Sequence, residues 1–398
     1  MAFLVVAIAP GLAWGQAASE VTLDASPQLF TVLAALRAAG EARAPRPTEP
    51  GSVWQKVDAA LAVLGPDDVA RLQAFFERSH PGASGPDVNH YISAALVLGP
   101  PPEFGFVVPP DQLPQDVYGL EGFPSLLRDF YARAGLDRVW GEARPLYEQA
   151  IAERQAEVAR MLLESRTYLR LMGESTPGRS YVIYLEWLAP PGLTSARSYG
   201  DSYFLVIHPR GADFLGAVRH QYLHFLLDPI AAKYAEEMSP WMELKPVAEQ
   251  AARLPTPFRR DLLLLATECL VQAAELRLRG LNPADAATEL DAREREGYLF
   301  LRHFYHALTL FEQARPSMRL FFPELVRDLD VGREKARLQR AVLEAVPPGE
   351  SLASAEETAR RTLAVAESYL TAGNYAAARE RLERILRDVD PNHPGAFY

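Results

Sequence analysis

Two short segments rich in β-branched and aromatic residues stand out in a chain whose other patterns are helical. They are Ser180 to Trp187 (SYVIYLEW) and Ser202 to His208 (SYFLVIH), and Pro190-Pro191-Gly192 lies between them. This composition favours strands, and two such neighbours predict members of one small sheet. Because the remaining sequence favours helices, we predict an α+β fold that is predominantly α-helical.

Helical periodicity before the strands divides the chain into regions. Residues 124–172 space their apolar side chains at three and four, with an expected break near Gly135. The Pro-rich stretch 99–114 excludes regular helix. The expected regions are a leader over 1–18, an N-terminal helical region over 27–172, a region containing the sheet over 180–345 and a C-terminal helical segment over 351–398.

Charge and cysteine content exclude some classes of function. The 398-residue chain has a formal net charge of -10 and no block of Lys and Arg. This argues against nucleic-acid binding and against a polybasic membrane-binding patch. The single cysteine, Cys269, cannot form an internal disulfide, so cysteine usage leaves the cellular compartment open.

The first residues, MAFLVVAIAPGLAWGQA, form a short apolar run that ends in small residues. Ala13-Trp14-Gly15 fits the small-x-small pattern of a signal-peptide cleavage site, and the run is too short to span a bilayer comfortably. The basic start of a typical signal peptide is missing, so a buried N-terminal helix is the alternative. We expect a signal peptide over 1–18, export to the periplasm or outside the cell, and no membrane span in the mature chain.

The segment 360–391 resembles one tetratricopeptide repeat. A single repeat cannot bury its own apolar face, so it must stack on something else. We expect this C-terminal repeat to be a docking surface for a protein or peptide partner, and an ordinary helical hairpin is the alternative. The positions that match the repeat are Tyr369, Gly373, Tyr375, Ala378, Leu382, Leu386 and Pro391.

A pair of histidines is the best candidate for chemistry. His220 and His224 lie in GAVRHQYLHFLLDP, whose apolar residues predict a buried helix that ends near Asp228-Pro229. Side chains four residues apart project from the same helix face, so both imidazoles can reach one Zn²⁺ at about 2.0–2.1 Å. A pair at this spacing also arises by chance, and two hydrogen-bonded core histidines are the alternative.

A third ligand is expected to be a carboxylate on a later helix. Glu268 lies in the middle of the apolar run LLLLATECLVQAAELRL. A buried carboxylate without a partner is costly, so it needs a cation or a proton. A metal held by the histidine pair supplies that cation. Glu275 is the alternative ligand, and pairing of Glu268 with Arg219 or a histidine in a structural network is the alternative to a metal.

A strand pair followed by a buried HxxxH helix and a later glutamate resembles the gluzincin branch of zinc metallopeptidases, to which thermolysin belongs. Those proteins carry HExxH on one helix and a glutamate ligand on a following helix, often as ExxxD. The resemblance spans roughly a quarter of the chain and rests on a short motif. It implies that His220, His224 and Glu268 hold zinc and that 180–345 is a metal-site domain with a small mixed sheet.

Two departures from the gluzincin pattern concern chemistry. Gln221 stands where the family has its catalytic glutamate, and a neutral amide cannot accept a proton as that general base does. Gln272 stands where ExxxD has an aspartate, although its amide can still accept a hydrogen bond from an imidazole. Asp228 is another residue that can orient a histidine ligand.

Weaker catalytic candidates lie elsewhere in the chain. Glu186, on the strand before the histidine helix, is a substitute general base. His303 and Tyr298 are candidates for binding an oxyanion, as is His306, although an aromatic core helix with hydrogen-bonded histidines is the simpler explanation of their pattern.

The sequence therefore supports three hypotheses. The first is an exported, zinc-binding, gluzincin-like pseudoenzyme with weak or absent peptidase activity. The second is an active zinc metallopeptidase with a relocated general base, and the third is a non-catalytic helical scaffold whose repeat recruits partners.

Overall fold

The computed structural model describes residues 21–40, 51–79, 88–109, 113–114, 117–172 and 179–338, and single positions between 366 and 383. The expected signal peptide, residues 1–18, lies outside the described residues. Within the described part of the chain, no helix has both the length and the apolar character needed to cross a membrane. Helices dominate and a small mixed sheet accompanies them, which confirms the predicted fold class.

The regular elements follow the predicted order of helices, a sheet and further helices. In chain order they are β1 (Val21–Asp24), α1 (Pro27–Ala38), α2 (Val53–Leu61), α3 (Pro66–Ser79), α4 (Val88–Leu96), α5 (Phe123–Arg133), α6 (Leu136–Tyr168), β2 (Ser180–Leu185), β3 (Thr194–Tyr199), β4 (Ser202–Ile207), α7 (Phe214–Lys233), α8 (Lys245–Gln250), α9 (Thr256–Arg260), α10 (Leu262–Arg279), α11 (Pro283–Glu296), α12 (Leu301–Gln313), α13 (Met318–Arg327) and α14 (Val331–Leu338).

The chain forms two compact units, and the predicted N-terminal helical and metal-site regions both contribute residues to each. The first unit contains the sheet. The second contains most of α7 and all the helices that follow it. Their bounds are Met1–Ala159 with Gly178–Val218, and Arg160–Pro177 with Arg219–Tyr398.

The sheet of the first unit has the strand order β1-β2-β4-β3. The strands β1, β2 and β4 are parallel, and β3 pairs antiparallel with β4. The two predicted strands are confirmed as the neighbours β2 and β4, paired from Ser180 with Ser202 to Leu185 with Ile207. The sequence does not predict β1 or β3, because VTLD is very short and TSARSY is largely polar.

The core of the first unit combines the N-terminal helices with one face of the sheet. The buried side chains of α1 lie in one cluster with residues of α4, α5, β2 and β4. Phe30, Tyr91 and Phe123 are fully buried there. Each such side chain contributes about 1.5–3 kcal/mol through apolar burial. The expected break near Gly135 is confirmed, because this residue adopts φ +60° between α5 and α6.

In the second unit, α7 is longer than the sequence predicts. We expected the helix to end near Asp228-Pro229, and that prediction is wrong, because α7 continues through Pro229 to Lys233. A proline inside a helix forgoes one backbone hydrogen bond. The residues that follow, Ile230 to Ala232, are buried, and this burial offsets the loss.

Part of the C-terminal segment lies among the described residues. Tyr369, Ala378 and Leu382 are helical and buried, whereas the Tyr375 side chain is largely exposed. The other positions that match the repeat, among them Gly373, lie outside the described residues. The presence of a tetratricopeptide repeat therefore stays a prediction.

Candidate metal centre

The histidine pair lies on the part of α7 that belongs to the second unit. His220 and His224 are four residues apart, and their rings are 4.8 Å apart between centroids. Their side chains are 25% and 13% exposed, so both rings are largely shielded from solvent. The helix thus presents two imidazoles from one face, as the spacing predicts.

The helix α10 carries the glutamate expected to join them. Asp261 caps the start of this helix, and its carboxylate accepts hydrogen bonds from the amides of Leu263 and Leu264. Gly280 follows the last residue of the helix and adopts the left-handed conformation common there. Glu268 lies in the buried middle of α10, and only 9% of its side chain is exposed.

The three side chains converge. The Oε2 atom of Glu268 is 3.2 Å from Nε2 of His224 and 3.7 Å from Nε2 of His220. One ligand atom from each residue lies within 4.8 Å of those of the other two. Ligand atoms around a tetrahedral zinc are about 3.3 Å apart, because each bond is about 2.0–2.1 Å long. These residues form a group that can hold a metal ion.

Each imidazole has a second carboxylate on its other nitrogen. His220 Nδ1 is 3.2 Å from Oε2 of Glu275, and His224 Nδ1 is 2.9 Å from Oδ1 of Asp228. A carboxylate at Nδ1 accepts a hydrogen bond from the N–H of that nitrogen, so it fixes the tautomer whose Nε2 lone pair is available to a metal. This arrangement suits both histidines to bind a metal through Nε2. It also distinguishes Glu275, which faces Nδ1, from Glu268, which faces Nε2.

The carboxylate of Glu268 is held in place by a hydrogen bond from Gln272 on the same helix. The Nε2 atom of Gln272 donates to Oε1 of Glu268 at 2.7 Å. The sequence suggested that Gln272 accepts a hydrogen bond from an imidazole, but its amide donates to the glutamate instead. This bond occupies Oε1 and leaves Oε2 facing both histidines.

The charges of the group are strongly coupled. Burial disfavours the charged form of His220, but the charge of Glu268 and hydrogen bonds to Glu268 and Glu275 raise its pKa to about 10. Burial likewise opposes the charge of His224, but Asp228 and Glu268 raise its pKa to about 9. Burial also opposes the charge of Glu268, yet the two imidazoles hold the pKa of its carboxyl well below the usual range. In the metal-free protein, protons on the histidines supply the positive charge that the buried carboxylate needs.

The residue that the gluzincin resemblance aligns with the catalytic glutamate, Gln221, lies on α7. Gln221 is half-buried and lies three residues before His224, so it shares that side of the helix.

Arg219, an alternative partner for Glu268, is instead near Glu164, with Nη2 3.6 Å from Oε2.

Glu186 belongs to the first unit, whereas the three candidate ligands belong to the second. Its side chain is fully buried, and Oε1 accepts from the Tyr147 hydroxyl at 2.6 Å and the Leu188 amide at 2.8 Å. The atom Oε2 is buried without a hydrogen-bond partner among the described residues. Burial raises the pKa of Glu186 to about 7, although the bonds from Tyr147 and Leu188 oppose this shift.

Replacing Glu186 with glutamine is expected to remove a pH dependence of stability. The pKa of Glu186 is raised from 4.5 to about 7 by folding, so the folded chain binds more protons over that interval. The free energy of unfolding therefore falls as pH rises through it, by about 3 kcal/mol in total. Denaturant unfolding of wild type and Glu186→Gln at several pH values measures the difference. The exposed Glu148→Gln variant is the control, and an equal slope in all three proteins contradicts the prediction.

His303 and Tyr298 have described contacts with residues outside the candidate ligand group. Nε2 of His303 is 2.9 Å from the carbonyl oxygen of Leu325, and its ring packs edge-on against Trp241. The ring of Tyr298 packs against Phe258. Among the described residues, no histidine other than His220 and His224 joins the candidate ligand group.

The sequence identified Asp228 and Glu275 but not the contacts they make. Asp228 lies four residues after His224 on the same helix, a spacing from which the contact could have been predicted. Glu275 lies two helical turns after Glu268, which places both carboxylates on one side of α10. Which histidine nitrogen Glu275 meets depends on how α7 and α10 pack, and the sequence carries no local signal for that.

Comparison with known proteins identifies no relative. No family model matches the chain, and no curated protein or solved structure matches it significantly.

Proposed function

We propose that this protein is a zinc-binding, gluzincin-like protein with weak or absent peptidase activity. The observation that carries the proposal is the convergence of His220, His224 and Glu268, with a carboxylate behind each imidazole. The exported location and a protein or peptide partner for the C-terminal repeat belong to the same proposal.

The donor set supports zinc as the metal. Two imidazole nitrogens and one carboxylate oxygen are the protein ligands of many catalytic zinc sites, and three such ligands leave a coordination position open. When bound there, zinc would supply Lewis-acid polarisation of a carbonyl or of water. Asp228 and Glu275 would hold the two imidazoles, and Gln272 would hold the carboxylate of Glu268.

The presence of glutamine at position 221 supports the proposal that peptidase activity is weak or absent. An amide can hydrogen-bond water or a substrate, but it cannot take a proton at neutral pH. A missing general base typically costs about 10²–10⁴-fold in rate. Glu186 is a poor substitute, because its complete burial and its bonds to Tyr147 and Leu188 keep it from substrate.

Metal content tests the proposal. Purified wild-type protein is expected to carry about one zinc per chain by elemental mass spectrometry, and His220→Ala is expected to lose it because only two ligands remain. The same measurement identifies iron, which also binds to two histidines and one carboxylate. Wild-type protein that takes up no metal after incubation with zinc rejects the ligand assignment and leaves a buried charge network.

Zinc binding is expected to release protons. In metal-free protein the pKa values of His220 and His224 are about 10 and about 9, so both rings are charged at neutral pH. A histidine must lose its proton from Nε2 to bind a metal there, so about two protons leave per zinc near pH 7. Apparent zinc affinity is therefore expected to rise as pH rises from neutral towards the pKa values of these two histidines. Calorimetry in two buffers of different ionisation enthalpy counts the protons, and zinc binding without proton release contradicts this prediction.

A further inference from the structure

The C-terminal segment contacts the ends of both helices that carry the candidate ligands. Tyr369 and Ala378 form a buried apolar cluster with Ala232 and Ala235, and Leu263 packs against this cluster. Ala232 lies in the last turn of α7, and Leu263 lies in the first turn of α10. The segment therefore joins two helices of the second unit at one place.

A buried ion pair fixes the same contact. Nε of Arg381 is 2.9 Å from Oδ2 of Asp261, and Nη2 of Arg381 is 3.3 Å from Oδ1. The two side chains are only 5% and 3% exposed. The Arg381 guanidinium also lies 4.8 Å from the centre of the Tyr369 ring. Since Asp261 caps α10, the ion pair ties the C-terminal segment to the start of that helix.

The contact is the same distance along each helix from the candidate ligands. Ala232 lies eight residues after His224, and Asp261 lies seven residues before Glu268. At about 1.5 Å per residue, both intervals are about 10–12 Å, or two helical turns. A shift at this contact is carried towards the ligands, most directly along α10, because two uninterrupted helical turns move nearly as a rigid rod and the corresponding interval of α7 contains Pro229. A metal site needs its ligands held to within about 0.5 Å.

We propose that Arg381 is a positioning residue for the metal centre. Through Asp261 and Tyr369 it holds the end of α7 at a fixed distance from the start of α10. The separation between the histidine pair and Glu268 follows from that distance. This inference rests on the proposed zinc site and adds that the C-terminal segment sets the affinity of the site.

The test compares two arginines of the same segment. Arg381→Met removes the buried charge and keeps much of the side-chain volume. Arg379→Met is the matched control, because Arg379 is exposed and pairs only with Glu383 among the described residues. The probes are Zn²⁺ affinity by chelator competition and the visible absorption spectrum of the Co²⁺-loaded full chain. Arg381→Met is expected to weaken Zn²⁺ binding by about 2–30-fold and to change the Co²⁺ spectrum. Arg379→Met should match wild type, and Arg381→Lys should recover part of the affinity.

A second variant distinguishes an effect on the metal centre from a loss of folding. Arg381→Met leaves the charge of Asp261 buried without its partner, which can destabilise the chain. The double variant Asp261→Asn with Arg381→Met removes both charges, and asparagine still caps the helix. A folded double variant with weakened Zn²⁺ binding supports the proposal, whereas wild-type affinity and spectrum in this variant overturn it. Wild-type protein that binds neither metal rejects the zinc site itself.

Discussion

Replacing Gln221 with glutamate is expected to raise peptide hydrolysis by about 10²–10⁴-fold, the usual contribution of a positioned general base. The substitution exchanges a neutral amide for a carboxylate of nearly the same shape, on the side of α7 that also carries His224. Glutamate is as good a helix former as glutamine, so α7 should be unchanged. The measurement is kcat/KM of zinc-loaded protein on a mixture of fluorogenic peptides.

Two controls make this gain of function specific. Gln221→Met is similar in size but has no carboxylate, so it should show no gain. Adding His220→Ala to Gln221→Glu should abolish the new activity, because the metal site is then incomplete. If Gln221→Glu binds zinc normally and still gives no hydrolysis, the rest of a peptidase site is missing. That result would reject a lost peptidase and leave a zinc-binding protein of another kind.

The sheet shows how far local pattern predicts this fold. The strands β2 and β4 were predictable because their residues are apolar on both faces and favour strands. The edge strand β3 is polar at most positions, and its position beside β4 depends on tertiary packing rather than on propensity. The end of α7 predicted at Pro229 was also wrong because of tertiary packing. Burial of the residues after Pro229 outweighs the one backbone hydrogen bond that is lost.

The candidate site was predictable to the extent that it depends on single helices. The spacing of His220 and His224 follows from helical geometry, and the carboxylate of Glu268 was conspicuous in its apolar run. Whether these three groups meet depends on the crossing of α7 and α10, which the structure supplies. The contact of Glu275 with Nδ1 of His220 depends on the same crossing.

Zinc is expected to stabilise the protein against unfolding, and His224→Ala is expected to abolish that effect. A ligand that binds only the folded chain adds about 4 kcal/mol at a free concentration near 1,000 times its Kd. In His224→Ala the carboxylates of Asp228 and Glu268 both lose a partner, so the metal-free variant should also be less stable than wild type. The measurement is Tm in saturating zinc and in chelator, at about pH 8 to limit competition from protons.

The matched control for this loss is His306→Ala. His306 is an exposed histidine on α12 outside the candidate ligand group, so its removal changes the histidine count without touching the site. This variant should keep the full zinc-dependent rise in Tm. An equal rise in His224→Ala and wild type would mean that the stabilising zinc binds elsewhere on the chain. If His224→Ala loses the zinc-dependent rise in Tm and His306→Ala keeps it, the His224 imidazole is a ligand of the stabilising zinc. A metal raises Tm only by binding to the folded chain.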